Sequence, residues 1–279
     1  MKILTFTLVL LALCSSTFAN KYILDKKDQL PPVGYIFESK SSFRMLSDTM
    51  TLTMPGEKLD GAMQSRMNGL EEIEILAPLK YRSLIKSETS EGNMVIGERI
   101  NEIPEKKEVL LKTPVIWEKK NGKWTASPEK GEFTDEQKTE LKEDIDKANK
   151  EASMYGYIPR EIGEIWDVDL ESLKTLLGDD KITKGTGKIT FDGVKKYKGH
   201  QCAVLLVNLD VEGKTDDNQA VKMKGRVTVI RSLKFLQDFQ AKGSIALSLG
   251  GEIQPGISLE MKGSITMQED TTFKAPVKQ

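Results

Sequence analysis

The 279-residue chain is poor in the residues from which most active sites are assembled. It has one histidine, His200, two cysteines, Cys14 and Cys202, and only 6% aromatic residues. A single histidine leaves a Ser-His-Asp triad one base to draw on, and no Gly-x-Ser-x-Gly element presents a nucleophile beside it. His200-Gln201-Cys202 offers two metal-ligating side chains on one face of a strand, fewer than the three protein ligands zinc usually takes. Charge of one sign is also lacking, with 41 basic residues against 42 acidic. That balance argues against a nucleic-acid binder, which normally carries a basic patch able to neutralise several phosphates.

Long hydrophobic runs are absent except at the start. Lys2 precedes an apolar stretch from Ile3 to Leu13, followed by the small residues Thr17 and Ala19. This is the texture of a cleavable secretory signal over residues 1–19, with cleavage between Ala19 and Asn20. The run is nearer a dozen residues than the roughly 20 that span a bilayer. No later stretch approaches that length, so the mature chain is expected to carry no transmembrane segment. Leu13 stands before Cys14 where a lipoprotein signal peptidase prefers Gly, Ala or Ser, which favours a soluble exported protein, periplasmic or extracellular, over a lipid-anchored one.

Cleavage removes Cys14 and Lys2. The mature chain then has 40 basic residues against 42 acidic, and Cys202 is its one thiol, so no internal disulfide can form. Stability must come from a core, which a chain of this length can build. Cys202 lies in the apolar run Cys202-Ala203-Val204-Leu205-Leu206-Val207 and is expected to be a buried small hydrophobe. The pairs Lys106-Lys107, Lys119-Lys120 and Lys195-Lys196 are expected as solvated charges at turns or strand edges.

Strand patterning dominates what is present. Residues 20–32 are polar, end in Pro31-Pro32, and are expected as a flexible lead-in to a strand over 33–38. In Met50-Thr51-Leu52-Thr53-Met54 apolar residues alternate with threonines, placing one face on a core. Further extended segments are expected over 62–67, 70–76, 81–89, 93–103 and 109–118, with Asn121-Gly122 turning a hairpin between Trp117 and Trp124. Thr134-Asp135-Glu136-Gln137 is a capping box opening a helix to about Met154, with a thin stripe of Leu141, Ile145, Ala148 and Ala152. Asp169 caps a shorter helix ended by Gly178. In the last third, Ile245, Leu247 and Leu249, then Ile257, Leu259, Met261, Ile265 and Met267, fall at even spacing. Gly250-Gly251 and Pro255-Gly256 are expected to bracket the reversal between them.

These patterns predict an α+β, mainly antiparallel β fold: a strongly curved or twisted sheet in two strand-rich halves, with a central helical segment packed on its inner face. The divisions are a signal peptide 1–19, a lead-in 20–32, an N-terminal β half 33–126, a helical segment 127–180, a C-terminal β half 181–273 and a tail 274–279. Residues 33–273 are expected to form one structural unit.

The stretches Leu111-Lys112-Thr113-Pro114-Val115, Lys120-Asn121-Gly122-Lys123-Trp124 and Ile158-Pro159-Arg160-Glu161-Ile162-Gly163-Glu164-Ile165-Trp166 carry a resemblance. They resemble poorly characterised secreted bacterial proteins in which two β halves flank a helical region. The last is similar to the proline, valine or isoleucine, glycine, acidic, x, tryptophan element that leads into the second half of such proteins. In architecture the chain is similar to curved-sheet carriers of the lipoprotein-localisation class. That similarity implies an apolar cavity and a bound acyl chain, without site residues to carry over.

Other motifs are explained by local structure. Ser83-Leu84-Ile85-Lys86 and Ser127-Pro128-Glu129-Lys130 match Ser-x-x-Lys, and Lys184-Gly185-Thr186-Gly187 echoes Lys-Thr-Gly, but neither serine opens a buried helix. Asp179-Asp180 and Asp216-Asp217-Asn218 lack the acidic ladder of a calcium loop and suit turns. No cofactor motif is present. Methionines are more informative: Met45, Met50, Met54, Met63, Met67, Met223, Met261 and Met267 fall on predicted strands, where thioethers fill irregular cores or line adaptable apolar surfaces.

The resulting expectation is an exported, non-enzymatic binding or carrier protein for a hydrophobic or lipid-like ligand. The candidate pocket is lined by Met50, Leu52, Met54, Leu247, Leu259 and Met261. The alternative is an envelope protein acting through protein contacts, marked by an exposed apolar patch or unpaired strand edge. An enzyme, marked by carboxylates gathered at His200, ranks third.

Overall fold

The strand visible in Met50 to Met54 extends back to Ile36, through stretches without apolar alternation, and the same lengthening occurs along most of the chain. A computed structural model describes residues 20–103, 108–150, 153–177, 182–214 and 219–276. The N-terminal strands are β1 (Lys21–Tyr22), β2 (Ile36–Met54), β3 (Glu57–Ala77), β4 (Lys80–Ile96), β5 (Arg99–Glu102), β6 (Val115–Lys120) and β7 (Lys123–Pro128). Helix α1 (Asp135–Asn149), β8 (Arg160–Glu161), β9 (Ile165–Val168) and α2 (Leu170–Leu177) form the middle. Then follow β10 (Ile182–Tyr197), β11 (His200–Lys214), β12 (Ala220–Ser232), β13 (Asp238–Gln254) and β14 (Ile257–Lys274).

One antiparallel sheet takes all but β1 and β8, in the order β7-β6-β4-β3-β2-β14-β13-β12-β11-β10-β9, with β5 on β4. The fold is the mainly antiparallel α+β class predicted, a curved sheet that does not close. Its two halves are joined by β14 and β2, paired from Ser258 opposite Thr53 to Lys274 opposite Ile36. Separate segments expected over 62–67 and 70–76 are one strand, β3. Backbone pairing on both sides holds the polar stretches together where apolar alternation lapses.

Register places a row of apolar residues across the sheet: Val221 opposite Leu249, Leu249 opposite Met261, and Met261 opposite Met50. Glycines on this face allow the sheet to curl. A Cβ on Gly263 would lie 2.1 Å from the Leu46 carbonyl oxygen, and one on Gly243 would lie 2.4 Å from that of Arg226. A register shift between Lys262 and Gly263 adds to the bend. The apolar face is therefore folded toward itself.

The helices occupy opposite ends of the strand order, α1 against β7 and α2 against β10. Thr134 accepts from the Gln137 amide and Gln137 accepts from the Thr134 amide, the reciprocal box read from the sequence. Helix α1 stops at Asn149, short of Met154. The Asn149 side chain bonds both the amide and the carbonyl of Trp124, and the Lys150 amide folds back to the Lys147 carbonyl. Ala152 lies outside the described residues. Asp169 caps α2 by accepting from the Ser172 amide at 2.8 Å. Asn121 and Gly122 both have positive φ, 51° and 79°, as a two-residue hairpin turn requires. The β13–β14 reversal is made by Pro255-Gly256 alone; β13 runs through Gly250-Gly251, with Gly251 opposite Leu259.

Residues 20–35 dock on both halves. Leu24 is fully buried, and its carbonyl accepts from Arg231 Nε at 2.6 Å. Asp25 pairs with Arg231 at 3.4 Å, Leu30 packs by Phe37 and Ile75, and Asp28 accepts from Lys119 Nζ at 2.5 Å. Lys119 therefore corrects the reading of its lysine pair as solvated. It is buried, and the lead-in supplies its counter-charge.

Candidate functional site: an apolar face and a polar groove

Met50, Leu247 and Met261 are at most 9% exposed and share a cluster with Val221, around which Met45, Met63, Met94, Met223, Leu249 and Leu259 pack. Every member of that cluster is a strand residue, so the curl of the sheet buries it without a helix over it. Leu52 stands opposite both Leu259 and Leu59 and extends the row, while Met54 sits half-buried at the β2–β3 turn, opposite Glu57. The candidate lining residues thus share one face, and their best-buried members form a packed core.

Farther along the same face the cover thins. Phe43 stands opposite both Met67 and Met267; Met67 is 38% exposed and the other two are half-buried. Ile265 and Met45 pair in the adjoining row. This strip is the accessible apolar surface of the curved face. Alternation alone could not locate it, because Ser41, Ser65, Gly69 and Ser90 interrupt the apolar pattern around it.

Beyond the strip the face becomes polar, with Ser39 donating to Glu269 at 2.6 Å. Ser39 also stands opposite Glu71. Glu71 lines a 150 Å³ cavity with Tyr81, Trp117, Leu141 and Asp144. Burial raises its pKa to about 7, and the nearby carboxylates Glu269 and Asp144 push the same way. Burial also raises Asp144 and the Tyr81 hydroxyl. The signal for this site is faint, because Glu71-Glu72 reads as a solvated acidic pair.

A 1240 Å³ groove is lined mostly by polar groups. Arg44 stands opposite Arg66 on one side and Thr266 on the other. Lys242 stands opposite Gln268, and Gln64 opposite Asn93. By register these side chains belong to the set opposite Met45, Met67 and Met267, with Ser65, Gly92 and Gly243 contributing from the apolar set. The groove has no local sign in the sequence, because it arises from the juxtaposition of β2, β3, β4, β13 and β14.

His200 sits among Phe273, Phe235 and Phe239, with centroids 4.9, 5.1 and 5.9 Å away. Burial, with Lys234 nearby, lowers its pKa. Cys202 is fully buried, as its apolar run predicts, and burial pushes its thiol up. Ser83 lies in β4, where its hydroxyl accepts from Trp117 Nε1 at 3.1 Å; Ser127 lies in β7 and Lys184 to Gly187 in β10. Residues 1–19, with Ala19, and the acidic pairs Asp179-Asp180 and Asp216-Asp217 lie outside the described residues, as does Lys106-Lys107. Asn20 is described and exposed. No helix among the described residues is long and apolar enough to cross a membrane, which says nothing of strands.

No family model matches the chain, and no curated protein matches it. Among solved structures it is similar to lipovitellin, described for its lipid–protein interactions, at 8% identity and a TM-score of 0.42. That likeness covers 89% of this chain and 26% of the other, so the chain spans about a quarter of the lipovitellin chain. It is also similar to the COG4313 outer membrane channel of Pseudomonas putida F1, at 7% identity and a TM-score of 0.26, over 90% and 99% of the two chains. A DUF1329 family protein of Desulfovibrio piger matches at 10% identity and a TM-score of 0.16, over 87% of each chain.

Proposed function

We propose that this is an exported, non-enzymatic protein that binds or carries a hydrophobic, lipid-like ligand on the apolar face of its curved sheet. The observation that carries the reading is the strip of Phe43, Met67 and Met267, in which Met67 is 38% exposed, on the same face as the methionine-rich core. Thioether side chains are polarisable and change rotamer cheaply, so such a strip can accommodate tails of varied shape. The open sheet leaves a route onto that face.

A second reading has its own support. Tyr157, Ile158, Ile162 and Ile165 are 45–61% exposed within one short stretch beside edge strand β9, a concentration of apolar surface suited to protein contact.

Native mass spectrometry of the protein purified from its own cell envelope, followed by extraction of bound material, separates these readings. A co-purifying lipid lost in Met67→Lys supports the carrier. Recovery of ligand-free protein removes it, and a stable partner lost in Ile158→Lys with Ile165→Lys installs the second reading.

A further inference from the structure

Cross-strand charges on this sheet are generally matched. Arg82 meets Glu74 at 2.8 Å, Lys86 meets Glu72 at 2.6 Å, Lys222 meets Glu212 at 2.8 Å, and Lys224 meets Asp210 at 2.7 Å. The 1240 Å³ groove breaks this rule. Arg44 and Arg66 face each other directly, and neither they nor Lys242 has an ion pair among the described residues. Glu91, which stands opposite Arg66, and Glu102 likewise have none. Like charges directly opposite each other destabilise a sheet, so an unneutralised arginine pair in a groove is a surface prepared for an anion.

The remaining lining specifies more. Ser42, Gln64, Asn93, Ser244, Thr266 and Gln268 present hydroxyl and amide groups, which donate and accept hydrogen bonds alike. Ile103 and Met267 are the large apolar members, so an acyl chain gains little there. Among the described residues no aromatic side chain lines the groove, and nucleobases would find nothing there to stack on. The groove crosses five neighbouring strands, β4-β3-β2-β14-β13, a span of about 19 Å, which points to an oligomeric occupant.

From this chemistry we propose that the groove binds an anionic oligosaccharide. Its acidic groups meet Arg44, Arg66 and Lys242, and its hydroxyls meet the serine, threonine and amide side chains. The groove shares Met267 with the apolar strip, but its charged and hydrogen-bonding groups do not depend on a hydrophobic ligand.

Titration calorimetry of the full exported chain tests this with three probes: hexagalacturonate, maltohexaose as the neutral chain of equal length, and a single-stranded oligonucleotide. Hexagalacturonate should bind, weaken with added salt, and lose about tenfold or more in affinity in Arg44→Gln with Arg66→Gln, one charge-assisted contact being worth about a factor of ten. Both arginines are exposed and their like charges face each other, so the double variant should melt no lower than the parent. Lys224→Gln, an exposed cation on another strand, should leave binding unchanged. No binding of hexagalacturonate, equal binding by the arginine variant, equal binding of maltohexaose, or tighter binding of the oligonucleotide would each overturn the proposal.

Discussion

Glu71 and Glu72 are neighbours in β3 on opposite faces of the sheet, and only Glu72 is neutralised. Glu72 accepts from Lys86 at 2.6 Å and meets Arg82 at 3.5 Å. Glu71 lines a cavity beneath α1 beside Tyr81, Trp117 and Asp144, with Glu269 also acting on it. Its carboxyl therefore holds a proton to a much higher pH than an exposed glutamate does.

That difference makes stability depend on pH. Between about pH 4.5 and 7 the folded protein keeps the Glu71 proton that the unfolded chain has released, so this group makes stability fall as pH rises through that window. Each pKa unit is worth about 1.4 kcal/mol. The gap from 4.5 to about 7 sets a ceiling of roughly 3 kcal/mol, reduced because the residue keeps part of its surface wet. Glu71→Gln should raise the melting temperature at pH 8 and change it little at pH 4.5. An equal shift at both pH values would refute the assignment.

The methionines divide by exposure. Met261 is 4% exposed, so Met261→Ala should cost about 2–5 kcal/mol in urea unfolding, from lost transfer energy and a residual cavity. Met67 is 38% exposed, and Met67→Ala should cost less than about 1 kcal/mol. If the strip is the ligand surface, the stability-neutral change is the one that lowers the yield of co-purified lipid.

The docking of residues 20–35 has a direct test in Leu24, whose side chain is fully buried against the C-terminal half. Leu24→Ala should destabilise the whole protein by about 2–5 kcal/mol, measured by denaturant unfolding. Asp28→Asn should also destabilise it, by taking a counter-charge from the buried Lys119, whereas a lead-in loose in solvent would tolerate both changes.

Local chemistry was legible in the sequence where it is self-contained. The Thr134 capping box, the Asn121-Gly122 hairpin and the Asp169 cap each need only a few adjacent residues, and the structure shows all three. Evenly spaced apolar residues also revealed the face carrying Met50, Leu247 and Met261. The lengths of β2 and β3 were not legible, because cross-strand backbone bonds hold stretches such as Ser39 to Ser42 whose side chains carry no pattern. Lys119 and Asp28 are distant in sequence, and so are Arg44 and Lys242, so neither the buried ion pair nor the groove has a local sign.

Curvature itself can be tested at two glycines of the sheet. Gly263 lies where β14 bends against β2, and a Cβ there would lie 2.1 Å from the Leu46 carbonyl oxygen and 2.8 Å from the Ser47 Cα. Backbone cannot move aside as the tip of a side chain can. Gly263→Ala must therefore open the β14–β2 pairing locally, at a cost of about 1–3 kcal/mol or more. Gly193, in β10, has nothing within 4 Å of the corresponding position and has no positive φ. Gly193→Ala should be neutral or stabilise by about 0.4–1 kcal/mol, through the smaller entropy of the unfolded chain. Because β14 and β2 join the two halves, hydrogen exchange in Gly263→Ala should accelerate on both sides of that seam. Equal melting temperatures for the two variants would mean that the close approach at Gly263 does not set the bend.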